Sequence, residues 1–163
     1  MPGRDLQQLS DDAYVWIFGI SPALDENGEV KLLQRVSGFL ERWESHGKPI
    51  ESASDLIDGT FLVIAAEKTS ERSGCSIDRL FGTLRELERE LNVRILDSDR
   101  VFFRHGDGRV DAMTRAEFRD KGDVHMIVFD TTAETLREVR TDAWEKRAED
   151  SWHRELLKRP AAV

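Results

Sequence analysis

The stretch TFLVIAAEKTSERSGCSIDRLFGTLRELEREL, residues 60–91, decides the fold class. Its first eight residues are almost wholly apolar, which is typical of a strand buried on both faces. A polar loop follows, and then apolar residues recur at helical spacing at Ile77, Leu80, Leu84, Leu87 and Leu91. A buried strand followed by an amphipathic helix predicts an α/β fold with this strand inside the sheet.

The same two patterns recur along the rest of the chain. YVWIFGI (14–20) and VHMIVFD (124–130) predict strands, and residues 29–46 predict a helix that stops at Gly47 and Pro49. Gly106-Asp107-Gly108 predicts the turn of a hairpin. The pairs Thr114/Glu117 and Thr131/Glu134 are spaced as capping boxes of two further helices, and Ser151 is spaced to cap a last short helix that stops near Pro160.

This order of elements predicts a single α/β domain, a mixed β-sheet flanked by helices, over residues 13–159. Crossover helices favour parallel neighbours, and the hairpin adds antiparallel strands. Residues 1–12 are polar and are predicted to be a flexible N-terminal segment, and residues 160–163 a tail.

Composition restricts the partners and the compartment. The net charge of −8 argues against nucleic acid, because binding to a phosphate backbone needs a basic surface. No apolar run approaches the 18 or so residues of a membrane span, and the N-terminus lacks the basic and apolar regions of a signal peptide. With one cysteine, no internal disulfide can form. These features predict a cytoplasmic protein without a membrane partner.

The start of the helix in residues 60–91 is the predicted functional site. Unpaired backbone N–H groups and the helix dipole favour an anion or a thiolate there, and Cys75 follows a glycine that permits close approach. The predicted ligand-binding residues are Ser73, Gly74, Ser76, Asp78 and Arg79. In the alternative interpretation, Ser76 is only the N-cap, Asp78 is a first-turn acid and Cys75 is a small buried side chain.

A reactive thiol needs a base, and histidine is the usual one. His46 lies at a predicted helix end and His153 at a predicted helix start, and either one is a candidate partner of Cys75 in a catalytic pair. No histidine or cysteine pair has metal-ligand spacing, so no metal is predicted. Walker A, G-x-G-x-x-G and G-x-S-x-G motifs are absent, and no cofactor is predicted.

Four short motifs, WESHG, SGCSIDRL, RAEF and DSWH, resemble those of a family of small bacterial proteins without a settled function. Members of that family are often labelled ABC transporter ATPases. The resemblance covers about Tyr14 to Leu157 and implies a bacterial origin. The positions that it marks are Trp43, His46, Gly47, Ser73, Gly74, Cys75, Ser76, Asp78, Arg115, Phe118, Ser151, Trp152 and His153.

Two hypotheses of function follow from the residues. The first is a small anionic ligand-binding domain or a cysteine-dependent enzyme, with its site around Cys75. The second is a non-catalytic protein–protein interaction module, in which SGCSID is turn and cap chemistry. The sequence leaves open which histidine, if either, pairs with the thiol.

Overall fold

The computed structural model describes residues 5–158, which form a single α/β fold of four helices and nine strands. The helices are α1 (Glu26–Glu41), α2 (Gly74–Leu91), α3 (Arg115–Lys121) and α4 (Leu136–Arg140). The strands are β1 (Tyr14–Gly19), β2 (Glu44–Ser45), β3 (Lys48–Pro49), β4 (Ser52–Ile57), β5 (Phe61–Ala66), β6 (Arg100–Arg104), β7 (Val110–Thr114), β8 (Ile127–Phe129) and β9 (Glu145–Arg147). Three 3₁₀ turns lie at Leu6–Gln8, Ala148–Asp150 and Trp152–Leu156.

The first sheet has the order β1-β5-β4, with β5 as its interior strand, as predicted. Both neighbours run antiparallel to β5. The sequence had predicted parallel neighbours, because a helix between two strands usually joins parallel strands. The reason is that α1 joins β1 to β4, two strands that do run in the same direction, and the β4–β5 hairpin places β5 between them. The sequence analysis missed β4, because Ser52, Ser54 and Asp55 dilute its apolar pattern.

Every residue of β5 is buried, because its two faces contribute to different cores. Phe61, Val63 and Ala65 face the central core, which lies between this sheet and the second sheet. Leu62, Ile64 and Ala66 face the outer core, which lies between the sheet and helices α1 and α2. The apolar run of this strand is nearly continuous because the strand lies in a middle layer and both of its faces are buried.

The second sheet has the order β7-β6-β8-β9 and is antiparallel at every described pair. Phe102 and Phe129 point from it into the central core, while Val101, Phe103 and Val128 pack on its other face with Phe118 of α3. The layers therefore run helices, sheet, sheet, helix. The predicted hairpin around residues 106–108 is confirmed, β8 is shorter than predicted, and β9 was not predicted.

Helix boundaries confirm some of the predicted caps and correct others. Asn92 ends α2 in the left-handed conformation, with φ 53°, and Thr114 caps α3 as predicted. The Thr131/Glu134 prediction is wrong, because α4 begins after Thr135, whose N–H donates to the Glu138 carboxylate. The last turn is 3₁₀ rather than α and is capped by Ser151, as predicted.

The segment predicted to be flexible is packed where the structure describes it. Leu6 and Leu9 are buried in the central core, and the Arg140 guanidinium donates to both of their carbonyls and to Asp11. These contacts attach residues 5–12 to α4. The first four residues, the predicted stop near Pro160 and the predicted tail at 160–163 lie outside the described residues.

Candidate functional site

The start of α2 is closed by its own serines. Ser73 is the N-cap, so the helix begins three residues earlier than a Ser76 cap would imply. The Ser73 hydroxyl accepts from the Ser76 N–H at 3.1 Å, and the Ser76 hydroxyl accepts from the Ser73 N–H at 3.0 Å. The Trp43 indole N–H donates to the Ser76 carbonyl at 2.8 Å and fixes this turn against the outer core. Some of the backbone N–H groups that were expected to face a ligand therefore already donate to serine hydroxyls within this turn.

The Cys75 thiol is exposed at the second residue of the helix, rather than buried as in the alternative interpretation. Within residues 5–158 it makes no hydrogen bond or ion pair. The Arg79 guanidinium, expected to add charge beside it, donates instead to the carbonyls of Cys75 and Glu44, at 3.4 and 3.2 Å. Gly74 and Asp78 are exposed as well, so this part of the helix start is an open surface.

His46 does not lie at a helix end, because α1 stops at Glu41 and residues 44–49 form the small β2–β3 hairpin. His46 and Gly47 occupy its tip with φ values of 51° and 76°, the left-handed pair that a tight hairpin turn needs. The imidazole is 68% exposed, and its Nε2 lies 3.9 Å from a Glu71 oxygen. No contact among the described residues joins it to Cys75.

His153 lies in a different part of the molecule, packed against α3. It is 2% exposed, stacks on Trp152 at 4.0 Å between ring centroids and meets the Phe118 ring edge-on. Its Nδ1 is 2.6 Å from the Ser151 hydroxyl. Of the three predicted catalytic residues, the structure brings no two into contact within the part of the chain it describes. The Cys–His pair therefore stays a prediction.

His153 does line a cavity of about 620 Å³ that opens beside the edge of β1. Phe18 and Phe81 form one wall and meet edge-to-face at 5.9 Å, and Phe102 of β6 and Trp152 form the other wall. Gly19 is required here, because a Cβ at that position would overlap the Phe102 ring. The cavity thus spans the layers of the fold, from α2 on one side to α3 on the other.

The cavity has a positively charged lining in an acidic protein. The lining contains three arginines (Arg85, Arg100 and Arg115) and one aspartate (Asp97), so positive charges exceed negative charges by two. Arg100 is held 3.6 Å from Asp97. In the described chain, Arg85 and Arg115 have no carboxylate within ion-pair distance, although Arg115 lies over the Trp152 ring at 5.1 Å. Two guanidinium groups therefore remain available to an anion.

Burial sets the charge state of His153. Burial lowers the pKa of His153 to about 4; the Asp130 charge acts in the opposite sense, and Arg115 and Lys146 reinforce the lowering. The imidazole is therefore neutral at pH 7. Burial raises the pKa of Asp130, but hydrogen bonds from Thr132 and the Trp152 indole outweigh it, so that the pKa lies below the usual value. The carboxylate is thereby held in its charged form.

This cavity was not predicted as a site from the sequence. His153 was predicted only as a partner for Cys75, and no sequence pattern indicates that Arg85, Thr131 or Thr132 lines a cavity. The resemblance marked Arg115, Trp152 and His153 as motif positions. These three residues come from two distant segments and meet only in the folded chain.

Neither a metal cluster nor a membrane helix is found in the described chain. Among residues 5–158, no group of three or more histidine, cysteine, aspartate or glutamate side chains is placed to hold a metal ion. The helices in the same range all lack the combination of length and apolar character that crossing a membrane requires.

No family model, no curated protein and no solved structure matches this chain. The resemblance to the bacterial family therefore stays a prediction.

Proposed function

We propose that this protein binds a small anionic ligand in the cavity lined by Arg85, Arg115 and His153. The observation that carries the proposal is a pair of guanidinium groups that have no carboxylate partner among residues 5–158. They lie beside a cavity with two positive charges in excess, in a chain of net charge −8. Arginine binds carboxylate and phosphate groups through paired N–H donors. The class of ligand is the one expected from the sequence, but its site lies away from Cys75.

The walls of the cavity favour a ligand with an apolar body. Its volume lies in the range of about 300–1,000 Å³ that is usual for small-molecule sites. Phe18, Phe81 and Phe102 offer aromatic surface, while the hydroxyl of Thr131 offers a hydrogen-bond donor. An organic carboxylate with an aromatic or branched side chain matches this combination better than a bare inorganic ion does.

His153 serves this site as a neutral polar group. Since its pKa is about 4, its charge neither attracts nor repels an anion at neutral pH. A group that is uncharged above about pH 6 gives binding that is insensitive to pH between 6 and 8, where carboxylates and arginines also keep their charge.

The cysteine-dependent reaction is a second candidate, supported by the exposure of the Cys75 thiol. An accessible sulfur can react with an electrophile in solvent, but the described residues give it no base. Alkylation of this thiol in the folded protein tests the accessibility that this candidate requires, separately from the cavity.

Titration calorimetry with 3-phenylpropanoate tests the proposed function, with the uncharged 3-phenylpropanamide as the matched ligand. The acid should bind and the amide should bind at least about tenfold more weakly, because it lacks the charge that the arginines pair with. Inorganic phosphate is a third probe, which has charge but no apolar body. Its affinity shows whether binding needs an apolar body as well as charge.

Arg115→Gln should weaken binding of the acid by about tenfold or more, and the double variant with Arg85→Gln should abolish it. Arg119→Gln is the matched control, since Arg119 is an exposed arginine on the same helix that does not line the cavity. Undiminished binding in a folded double variant, or the absence of binding by any of the anions, would overturn the proposal.

A further inference from the structure

The edge of β1 is only partly covered by the rest of the chain. Trp16 and Phe18 lie opposite Ile64 and Leu62 of β5, and Ile20 donates its N–H to Thr60, so the even-numbered residues pair with β5. The N–H and C=O groups of the odd-numbered residues consequently point the other way, out of the sheet edge.

Both ends of this edge are closed by other segments of the chain. At one end, the Val15 N–H donates to the Glu134 carbonyl at 3.0 Å, and Tyr14 forms a bridge with Thr135. At the other end, Ser21 and Arg94 exchange two backbone hydrogen bonds, at 3.1 and 2.7 Å. Beyond these bridges, no backbone hydrogen bond joins either segment to β1 in the part of the chain that the structure describes.

The stretch between the bridges has unpaired backbone groups. Within the described residues, the N–H and C=O of Ile17 and Gly19 have no hydrogen-bond partner on the outward side. Both residues line the cavity described above. A buried edge with unpaired donors and acceptors requires water or a ligand that supplies the missing partners.

We propose that the ligand of this cavity is the carboxyl-terminal end of an extended peptide, which pairs with β1 as a short added strand. Its amides would bond to Ile17 and Gly19, its carboxylate to Arg85 or Arg115, and its last apolar side chain would lie among the aromatic rings. The inference rests on the proposed function, and it narrows the ligand class from an organic anion to a peptide carboxylate.

The length of the open edge and the charge of the cavity favour the carboxyl-terminal end of a peptide as the ligand. The open edge covers three residues, roughly 10 Å of strand, and is closed at both ends, so a short peptide or a chain terminus fits and a strand that continues past it does not. The two excess positive charges favour a carboxylate end over an ammonium end. Added strands obtain affinity from main-chain hydrogen bonds and specificity from side-chain pockets, and both are present here.

Amide hydrogen exchange, read by NMR on the whole chain, tests the added strand directly. The probe is N-acetyl-alanyl-phenylalanine with a free carboxylate. On saturation, exchange of the Ile17 and Gly19 amides should slow by about tenfold or more. The amides of Trp16 and Phe18 are internal controls and should not change, because they already pair with β5.

An N-methylated form of the peptide probe measures how much the peptide N–H contributes to binding. Methylating the phenylalanine nitrogen of the probe removes one donor and should weaken binding about five- to tenfold, the typical value of one hydrogen bond. The change is made in the ligand, so it does not disturb the fold of the protein.

The outcomes separate this inference from the proposed function. If 3-phenylpropanoate binds as tightly as the peptide and the two amides stay unprotected, the inference fails while the anion site stands. If neither compound binds, both fail. If Ile17 and Gly19 become protected as protein concentration rises without peptide, a second copy of this chain occupies the edge, and the peptide proposal is overturned.

Discussion

Replacing His153 by glutamine is expected to remove a pH dependence of folding stability between about pH 6.5 and pH 4. His153 is 2% exposed and lies between the rings of Trp152 and Phe118, and burial lowers its pKa to about 4. In the unfolded chain its pKa returns to about 6.5. Between these values the unfolded state binds a proton that the folded state does not, so stability is present above pH 6.5 and is lost as the pH falls.

The size of the effect follows from the difference in pKa. A shift of about 2.5 units at about 1.4 kcal/mol per unit amounts to roughly 3 kcal/mol when fully expressed below pH 4. Carboxyl groups such as Asp130, whose folded pKa is lowered, lose their contribution mainly at more acidic pH. The interval from pH 6.5 to 4.5 therefore isolates most of the histidine contribution, about 2–3 kcal/mol.

Urea unfolding at a series of pH values measures this dependence. The parent protein should lose about 2–3 kcal/mol between pH 7 and 4.5, and His153→Gln should lose much less. Glutamine can still bond to the Ser151 hydroxyl, and the comparison uses the slope with pH rather than absolute stability. An NMR titration of the imidazole in the parent protein provides the same pKa independently. An unchanged slope in the variant, or an imidazole that titrates near 6.5, would refute the argument.

Three other outcomes are expected. Leu84 is fully buried in the outer core, so Leu84→Ala should lower the free energy of unfolding by about 2–5 kcal/mol; an unchanged urea midpoint would mean that this helix face is not core. Cys75 should react with a thiol reagent in the folded protein, and Cys75→Ser should change stability by less than about 0.5 kcal/mol; a thiol that reacts only in denaturant would contradict the exposed position. The purified protein should not hydrolyse ATP, since a phosphate-binding loop with its lysine is absent from the sequence; magnesium-dependent hydrolysis that persists through further purification would contradict this.

The parts of the fold predicted best are those in which local sequence and tertiary burial agree. β5 has a continuous apolar run and α2 has a periodic apolar face, because each packs on extensive apolar surface. The interior position of β5 is confirmed, as is the burial of Leu80, Leu84 and Leu87 on α2. β4 and β9 were missed because half-polar strands at or near a sheet edge carry a weak pattern. The end of α1 was misplaced because Trp43 continues the apolar spacing of the helix while belonging to the loop that follows.

The candidate site was less predictable for a physical reason. Cys75 stood out in the sequence because cysteine is rare and helix starts have known chemistry, yet the structure places it on an open surface. The cavity is formed by arginines, threonines and aromatic residues, which are common, and it takes them from segments far apart in the chain. Its most informative groups are backbone atoms of Ile17 and Gly19, whose availability depends on which strands pair with β1. No side-chain pattern encodes that pairing, so the unpaired groups of Ile17 and Gly19 become apparent only in the folded structure, within the residues that it describes.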